Sequence, residues 1–209
     1  MAKKLIITIA RQYGSGGREI GGRVAELLGI PLYDKEIIKD AAAEGDLHID
    51  VAKKADETAA NSLLYTLAMG SNVLGTSMAF GYKMPLNDKL FILQSDVIKR
   101  YAKEGSCVII GRCADYVLAG RPGLLRIFCR ADLGQRIRRI EQRHNLSKKK
   151  AALLVAKTDR HRRVYYHHHT GQFWGHSSCY DLTVNTGVLG VEKTAETMEA
   201  FIRTFWEQD

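Results

Sequence analysis

The residues with the most chemistry to offer begin at position 14. Gly14-Ser15-Gly16-Gly17 follows an apolar, β-branched run that ends at Ala10, and a helical apolar rhythm starts directly after it. A strand that delivers the chain into such a turn leaves backbone N–H groups unpaired and aimed where an anion would sit. The positive end of the following helix dipole lies behind them. Glycine lets the backbone approach a phosphate closely and adopt a positive φ. The turn therefore reads as a phosphate cradle, against the alternative of a helix-packing turn with no ligand. The G-x-x-x-x-G-K-[ST] pattern of a phosphate-binding loop is nevertheless broken, because no lysine stands where that loop needs one. Arg18 and Arg11 are the nearest charges that could replace it. Arg18 is the favoured substitute, and the register that would put Gly17 or Arg18 at the lysine position stays open. Glu19 is either a first-turn residue favoured by the helix dipole or a magnesium ligand.

A second set of residues is cationic. Residues 126–163 hold thirteen Lys or Arg against Asp132, Glu141 and Asp159, so a chain of net charge +8 concentrates +10 in this segment. Such a patch needs a polyanion, either nucleic acid or the phosphates of a small molecule. Lys157, Asp159, Arg160, Arg162 and Arg163 cluster at its end, where a solvated basic helix face is the plain reading. Arg136 and Arg139 lie on the helix after "LRIFC", where they either flank a nucleotide base or are simply exposed. Arg112, at a strand end, suits bidentate phosphate recognition or a surface ion pair. Asp34 stands where it could cap a helix over 35–43. His167, His168 and His169 suggest a metal, but adjacent side chains diverge and no Cys or carboxylate joins them at useful spacing. No metal site is expected. Trp174 reads as a packing anchor.

These residues need a scaffold. Strand-like apolar runs sit at 5–10, 30–33, 106–110, 125–129 and 182–185, separated by helical patterns over 17–28, 88–103 and 191–206. Alternating short apolar strands and helices predict a parallel sheet covered on both faces, an α/β fold. The segment 145–169 starts as a helix behind Ser147 and passes into a basic, aromatic stretch that no strand pattern explains. At 209 residues, 45% hydrophobic and 26% charged, the chain suits one domain. Four cysteines without a C-x-x-C pair fit a reducing cytoplasm. The run 58–82 carries no charge, but its polar residues and glycines make it a poor membrane span. A pair of short helices, buried or facing a second subunit, is the expectation, and it leaves a homo-oligomer open.

Six stretches, "ITIARQYGSGGREIG", "YDKEII", "VIIGRCADYVL", "KTDRHRR", "YYHHHTGQFWG" and "YDLTVNT", resemble in that order the cytidylate-kinase-like family, a branch of the P-loop nucleoside monophosphate kinases. The resemblance covers nearly the whole chain. It implies a P-loop kinase-like three-layer sandwich with a five-stranded parallel sheet, as one domain over 1–209. Within it, a helical monophosphate-binding part would span about 35–88 and a lid about 155–178. It implies a kinase using ATP or another nucleoside triphosphate with Mg2+, and a small acceptor such as CMP. A regulator with a degenerate loop is the alternative. Carried over residue by residue, Gly14, Ser15, Gly16, Gly17, Arg18, Glu19 and Arg136 would hold the donor. Asp34, Arg112 and Asp115 would hold the acceptor, and Arg18, Arg160, Arg162 and Arg163 would act in transfer. The aspartate that the family carries after Gly111-Arg112 is Cys113 here, with Asp115 two residues on. Membrane and nucleic acid are not expected partners.

Overall fold

The structure, a computed structural model, describes residues 4–52 and 85–207. Its centre is a parallel sheet of five strands in the order β2-β3-β1-β4-β5. These are β1 (Ile6–Arg11), β2 (Leu32–Tyr33), β3 (Cys107–Ile110), β4 (Leu124–Arg130) and β5 (Leu182–Asn185). β1 pairs with β3 from Ile6↔Cys107 to Ile9↔Ile110, and with β4 from Ile6↔Leu124 to Arg11↔Cys129. Central strands of a parallel sheet are covered on both faces, which is why "IITIA" and "CVII" are apolar throughout rather than alternating.

Alternate residues feed two cores. Ile6, Cys107 and Ile109 pack with α2 (Lys35–Glu44) and α3 (Leu86–Glu104) through Ile37, Ala41, Leu90, Val97 and Ile98. Ile7, Ile9, Val108, Ile110 and Ile127 face α1 (Gly17–Leu28) and α7 (Thr186–Glu207) through Ile20, Val24, Ala195, Met198 and Ile202. Gly190, at φ 75°, breaks α7 after its first turn, so the long helical run begins where the apolar rhythm at 191 does. The result is the expected three-layer α/β sandwich. A short helix α4 (Ala114–Val117) follows β3, and α5 (Leu133–His144) and α6 (Lys148–Thr170) follow β4.

One element departs from expectation. The basic, aromatic stretch after 157 is not irregular, because α6 runs unbroken for 23 residues to a left-handed Gly171. Most of the stretch 35–88, and all of the uncharged run 58–82, lies outside the described residues. All five strands end at the same edge of the sheet. β1 returns to β2 on one side while its neighbour β4 leads on to β5 on the other, which opens a crevice outside the carboxyl ends.

Candidate active site

The glycine turn lies in that crevice. The Gln12 N–H donates to the Cys129 carbonyl at 2.9 Å, which keeps the chain beside β4 as it leaves the sheet. The Gln12 side-chain oxygen accepts the Ala131 N–H at 3.1 Å, and the Ser15 N–H bonds back to the Gln12 carbonyl at 3.2 Å. Gly14 and Gly16 adopt φ of 80° and 82°, where a side chain would be strained, and Gly16 is the N-cap of α1. From β5's end, Thr186 Oγ1 lies 2.5 Å from the Ser15 carbonyl and 3.0 Å from that of Arg130, pinning the back of the turn. Among the described residues, the amides of Gly14, Gly16, Arg18 and Glu19 have no acceptor. Unpaired donors around a helix N-terminus are the kind of arrangement that can receive an anion.

When Gly16, the N-cap of α1, is taken as the last glycine of the pattern, the lysine position falls on Gly17 and the first glycine position on Arg11. A Cβ on Gly17 would lie 2.7 Å from Arg11 Cβ and 2.8 Å from Cys129 Cβ, so no side chain fits there. The space that a lysine stem would need at position 17 is filled jointly by Arg11 and Cys129. Arg18 does not reach back over the turn in its place. Its Nε pairs with the Asp34 carboxylate at 2.5 Å, and the side chain is half-exposed.

Asp34, buried at the end of β2, does occupy the N-cap position of α2, but its side chain makes no cap bond and pairs with Arg18 instead. Glu19 is gripped by both Arg139 and Arg143 from α5, which opposes its use as a magnesium ligand. Arg136 turns inward rather than lying exposed. It is 7% exposed and reaches Asp159 at 2.5 Å, the Tyr13 carbonyl at 3.2 Å and the Ala131 carbonyl at 3.0 Å.

Next to the cradle, toward β3, is a cleft of about 230 Å³ whose walls include Arg11, Arg112, Asp115, His161, Arg162 and Tyr166. The Arg11 guanidinium lies against Gly111, where it leaves no room for a Cβ. Gly111, Arg112 and Cys113 have φ of 70°, 56° and 55°, three left-handed residues in succession that swing Arg112 out of β3's line. For the two non-glycines this conformation costs about 1–3 kcal/mol each, a strain typical of sites that aim a side chain. Asp115 is 4% exposed and accepts the Tyr166 hydroxyl at 2.7 Å. Burial raises its pKa, against the opposing pull of that hydrogen bond.

α6 closes over both features. Val155, Asp159, Arg162 and Tyr166 form one stripe along it, spaced as a single helix face. Asp159 accepts the Tyr13 N–H at 2.7 Å, and Arg162 donates to the Arg11 carbonyl at 2.7 Å with its guanidinium 5.6 Å from the Tyr13 ring. Desolvation lowers the pKa of Arg162, and Asp159 opposes that shift. Arg160 and Arg163 point away to solvent, so of the three lid arginines expected at the reaction only Arg162 lines the cleft. Thr158, His161 and Tyr165 were not anticipated there, although their helical spacing would have shown a shared face. Trp174 packs edge-on against Phe128 at 5.3 Å and also borders the cleft.

The histidine expectation needs correction too. Asp88, in the first turn of α3, meets His168 Nε2 at 3.1 Å, and ligand atoms of Asp88, His168 and His169 all lie within 4.8 Å of one another. A carboxylate does join the histidines, from 80 residues away in sequence. His169 stacks on Phe91 at 4.0 Å, and burial lowers its pKa to about 4.

A parallel sheet with a glycine cradle after its first strand, beside an arginine-lined cleft, defines a P-loop kinase-like α/β protein. The cytidylate kinase-like family matches residues 6–188, and the chain belongs to that family. No curated protein sequence matches. Among solved structures, an uncharacterized protein from Eubacterium ventriosum ATCC 27560 superposes with a TM-score of 0.71 at 24% identity, covering 96% of this chain and 99% of that one. Shikimate kinase from Bacteroides thetaiotaomicron gives 0.52 at 11% identity over 97% and 98%. A gluconokinase from Sinorhizobium meliloti 1021 gives 0.50 at 13% over 100% and 99%. At these identities the likeness is one of fold. No helix among the described residues is long and apolar enough to cross a membrane.

Proposed function

We propose that the protein is a kinase that transfers a phosphoryl group from a nucleoside triphosphate such as ATP to a small phosphate-bearing acceptor, of which CMP is one candidate. The observation that carries this is the adjacency of two anion-binding features under one helix. The amides of Gly14, Gly16, Arg18 and Glu19 mark the donor side, and Arg11, Arg112 and Arg162 line the acceptor cleft. Three guanidiniums beside one buried carboxyl of raised pKa make the cleft strongly cationic, which suits a phosphate dianion. Arg11 takes the lysine's duty in this reading: its stem borders position 17 and its guanidinium reaches Gly111 in the cleft wall.

In this reading the backbone amides hold the β- and γ-phosphates and Arg112 holds the acceptor's phosphate. An acceptor oxygen attacks the γ-phosphorus as the bond to the diphosphate leaving group breaks. Arg11 and Arg162 neutralise charge on the equatorial oxygens, and α6 acts as a lid that excludes water. The residues present do not fit a magnesium ion held by the protein. Glu19, Asp34 and Asp159 each face an arginine. Mg2+ would therefore enter with the triphosphate as part of the substrate, and no step is assigned to it.

One observation favours a second reading, a nucleotide-binding regulator: position 17 cannot accept the lysine that the common loop uses. Coupled ADP release, measured with a panel of nucleoside monophosphates and other small acceptors, separates the two. Turnover with one acceptor, lost in Arg11→Ala, supports the kinase. Tight triphosphate binding with no turnover on any acceptor supports the regulator.

A further inference from the structure

We propose that Asp88, His168 and His169 form a zinc site that fastens the end of α6 to the start of α3. This proposal is independent of the kinase reading. Two imidazoles and one carboxylate, with water in the fourth position, make a donor set suited to Zn2+, whereas Mg2+ and Ca2+ favour oxygen alone.

The geometry is close to what such an ion needs. Metal–ligand bonds of about 2.0–2.1 Å set ligand atoms roughly 3.3 Å apart around a tetrahedral centre. Asp88 Oδ1 and His168 Nε2 are already at 3.1 Å, and all three ligand atoms fall within 4.8 Å. His169 must close by at most about 1.5 Å to complete the set, a side-chain adjustment. Its ring is held between Phe91, stacked at 4.0 Å, and Tyr165, edge-on at 4.5 Å, so few of its rotamers compete with the ligating one. His167 faces elsewhere, with Nδ1 3.2 Å from the Gln172 carbonyl, which makes it an internal control.

The position gives the site a consequence. Tyr165 is at once the neighbour of His169 and a wall of the cleft. A metal here braces the last turn of α6 and, through Tyr165, one side of the cleft. Two helices remote in sequence become cross-linked only in the folded protein, so zinc also raises the thermal midpoint by mass action.

The test uses full-length protein without a polyhistidine tag, stripped with chelator and titrated with Zn2+ in competition with a chromogenic chelator. One zinc per chain is expected, together with the visible d–d absorption of a four-coordinate site when Co2+ is substituted. Asp88→Asn and His168→Gln, both at side chains about one-third exposed, keep the local shape. Each should weaken zinc binding by about a hundredfold or more, beyond the 10- to 100-fold loss seen on removing an outer-shell partner. His167→Ala should bind as wild type does. No stoichiometric uptake by wild type overturns the proposal, as does uptake that survives the Asp88→Asn/His168→Gln double variant. Equal loss in His167→Ala overturns it too.

Discussion

Adding a single methyl group at position 17 should be harmful, and how harmful should depend on whether residue 11 has a Cβ. In Gly17→Ala the new atom would sit 2.7 Å from Arg11 Cβ and 2.8 Å from Cys129 Cβ, against the roughly 3.5–4.0 Å at which carbon atoms pack well. Overpacking of this kind costs about 1–3 kcal/mol. The helix propensity gained on replacing glycine returns about 0.5–1 kcal/mol, less at a first-turn position than in a helix interior. The net loss is about 1–2 kcal/mol, or a thermal midpoint lower by about 2–8 °C for a chain of this length. Arg11→Gly removes one of the two clashing atoms, whereas Arg11→Ala keeps it and removes only the charge. Double-mutant cycles by urea unfolding should therefore show about 0.5–1.5 kcal/mol of favourable coupling between Gly17→Ala and Arg11→Gly, and nearly none with Arg11→Ala. Equal costs of Gly17→Ala in both backgrounds would refute the argument that Arg11's stem excludes the lysine.

The arginines of α6 should separate by face: Arg162→Ala lowers kcat on an established acceptor by about ten- to a hundredfold, as loss of one charge-assisted contact of about 1.5–3 kcal/mol requires, while Arg160→Ala and Arg163→Ala stay within a few-fold. Equal losses in all three would contradict the closed arrangement of α6. Asp115 carries a folded-state pKa above its unfolded value of about 3.9, so wild-type stability falls as pH rises from about 4 through the folded pKa. Asp115→Asn removes that slope, and urea midpoints taken from pH 4 to 8 that run parallel in the two proteins would show that the burial is compensated. Arg112→Ala should raise the acceptor's KM with a smaller effect on kcat, and steady-state kinetics showing an unchanged KM would exclude Arg112 from the acceptor site.

The sheet was legible because Ile and Val runs, unlike alternating ones, identify strands covered on both faces, and glycines mark where they stop. The cradle was legible because backbone geometry is written in glycine spacing. What surrounds it was not. The conflict between positions 11 and 17 involves Cys129 on a third segment, and nothing local to "GSGGREIG" signals it. The direction of Arg18 is set by Asp34, across the gap between α1 and β2. Only the later part of α6 lacked a helical signature, because Asp159 and Arg162 share its buried stripe with Val155 and Tyr166, so apolar periodicity fades where the helix meets the loop. The left-handed run at Arg112 and Cys113 falls on residues that seldom adopt positive φ, which no propensity would anticipate. Asp88 joins His168 only through the packing of α3 against α6, and sequence spacing alone hid that pair.

The central claim is that the Gly14–Glu19 amides hold a triphosphate while Arg11 supplies the charge that a lysine supplies elsewhere. A crystal structure with Mg2+ and a non-hydrolysable ATP analogue tests it most directly. The account predicts the β- and γ-phosphates on the amides of Gly14, Gly16 and Arg18, with the Arg11 guanidinium in contact with a γ-oxygen and position 17 still bare. Nucleotide bound in another pocket with this loop empty, or phosphates in the loop with Arg11 turned away from them, would contradict it.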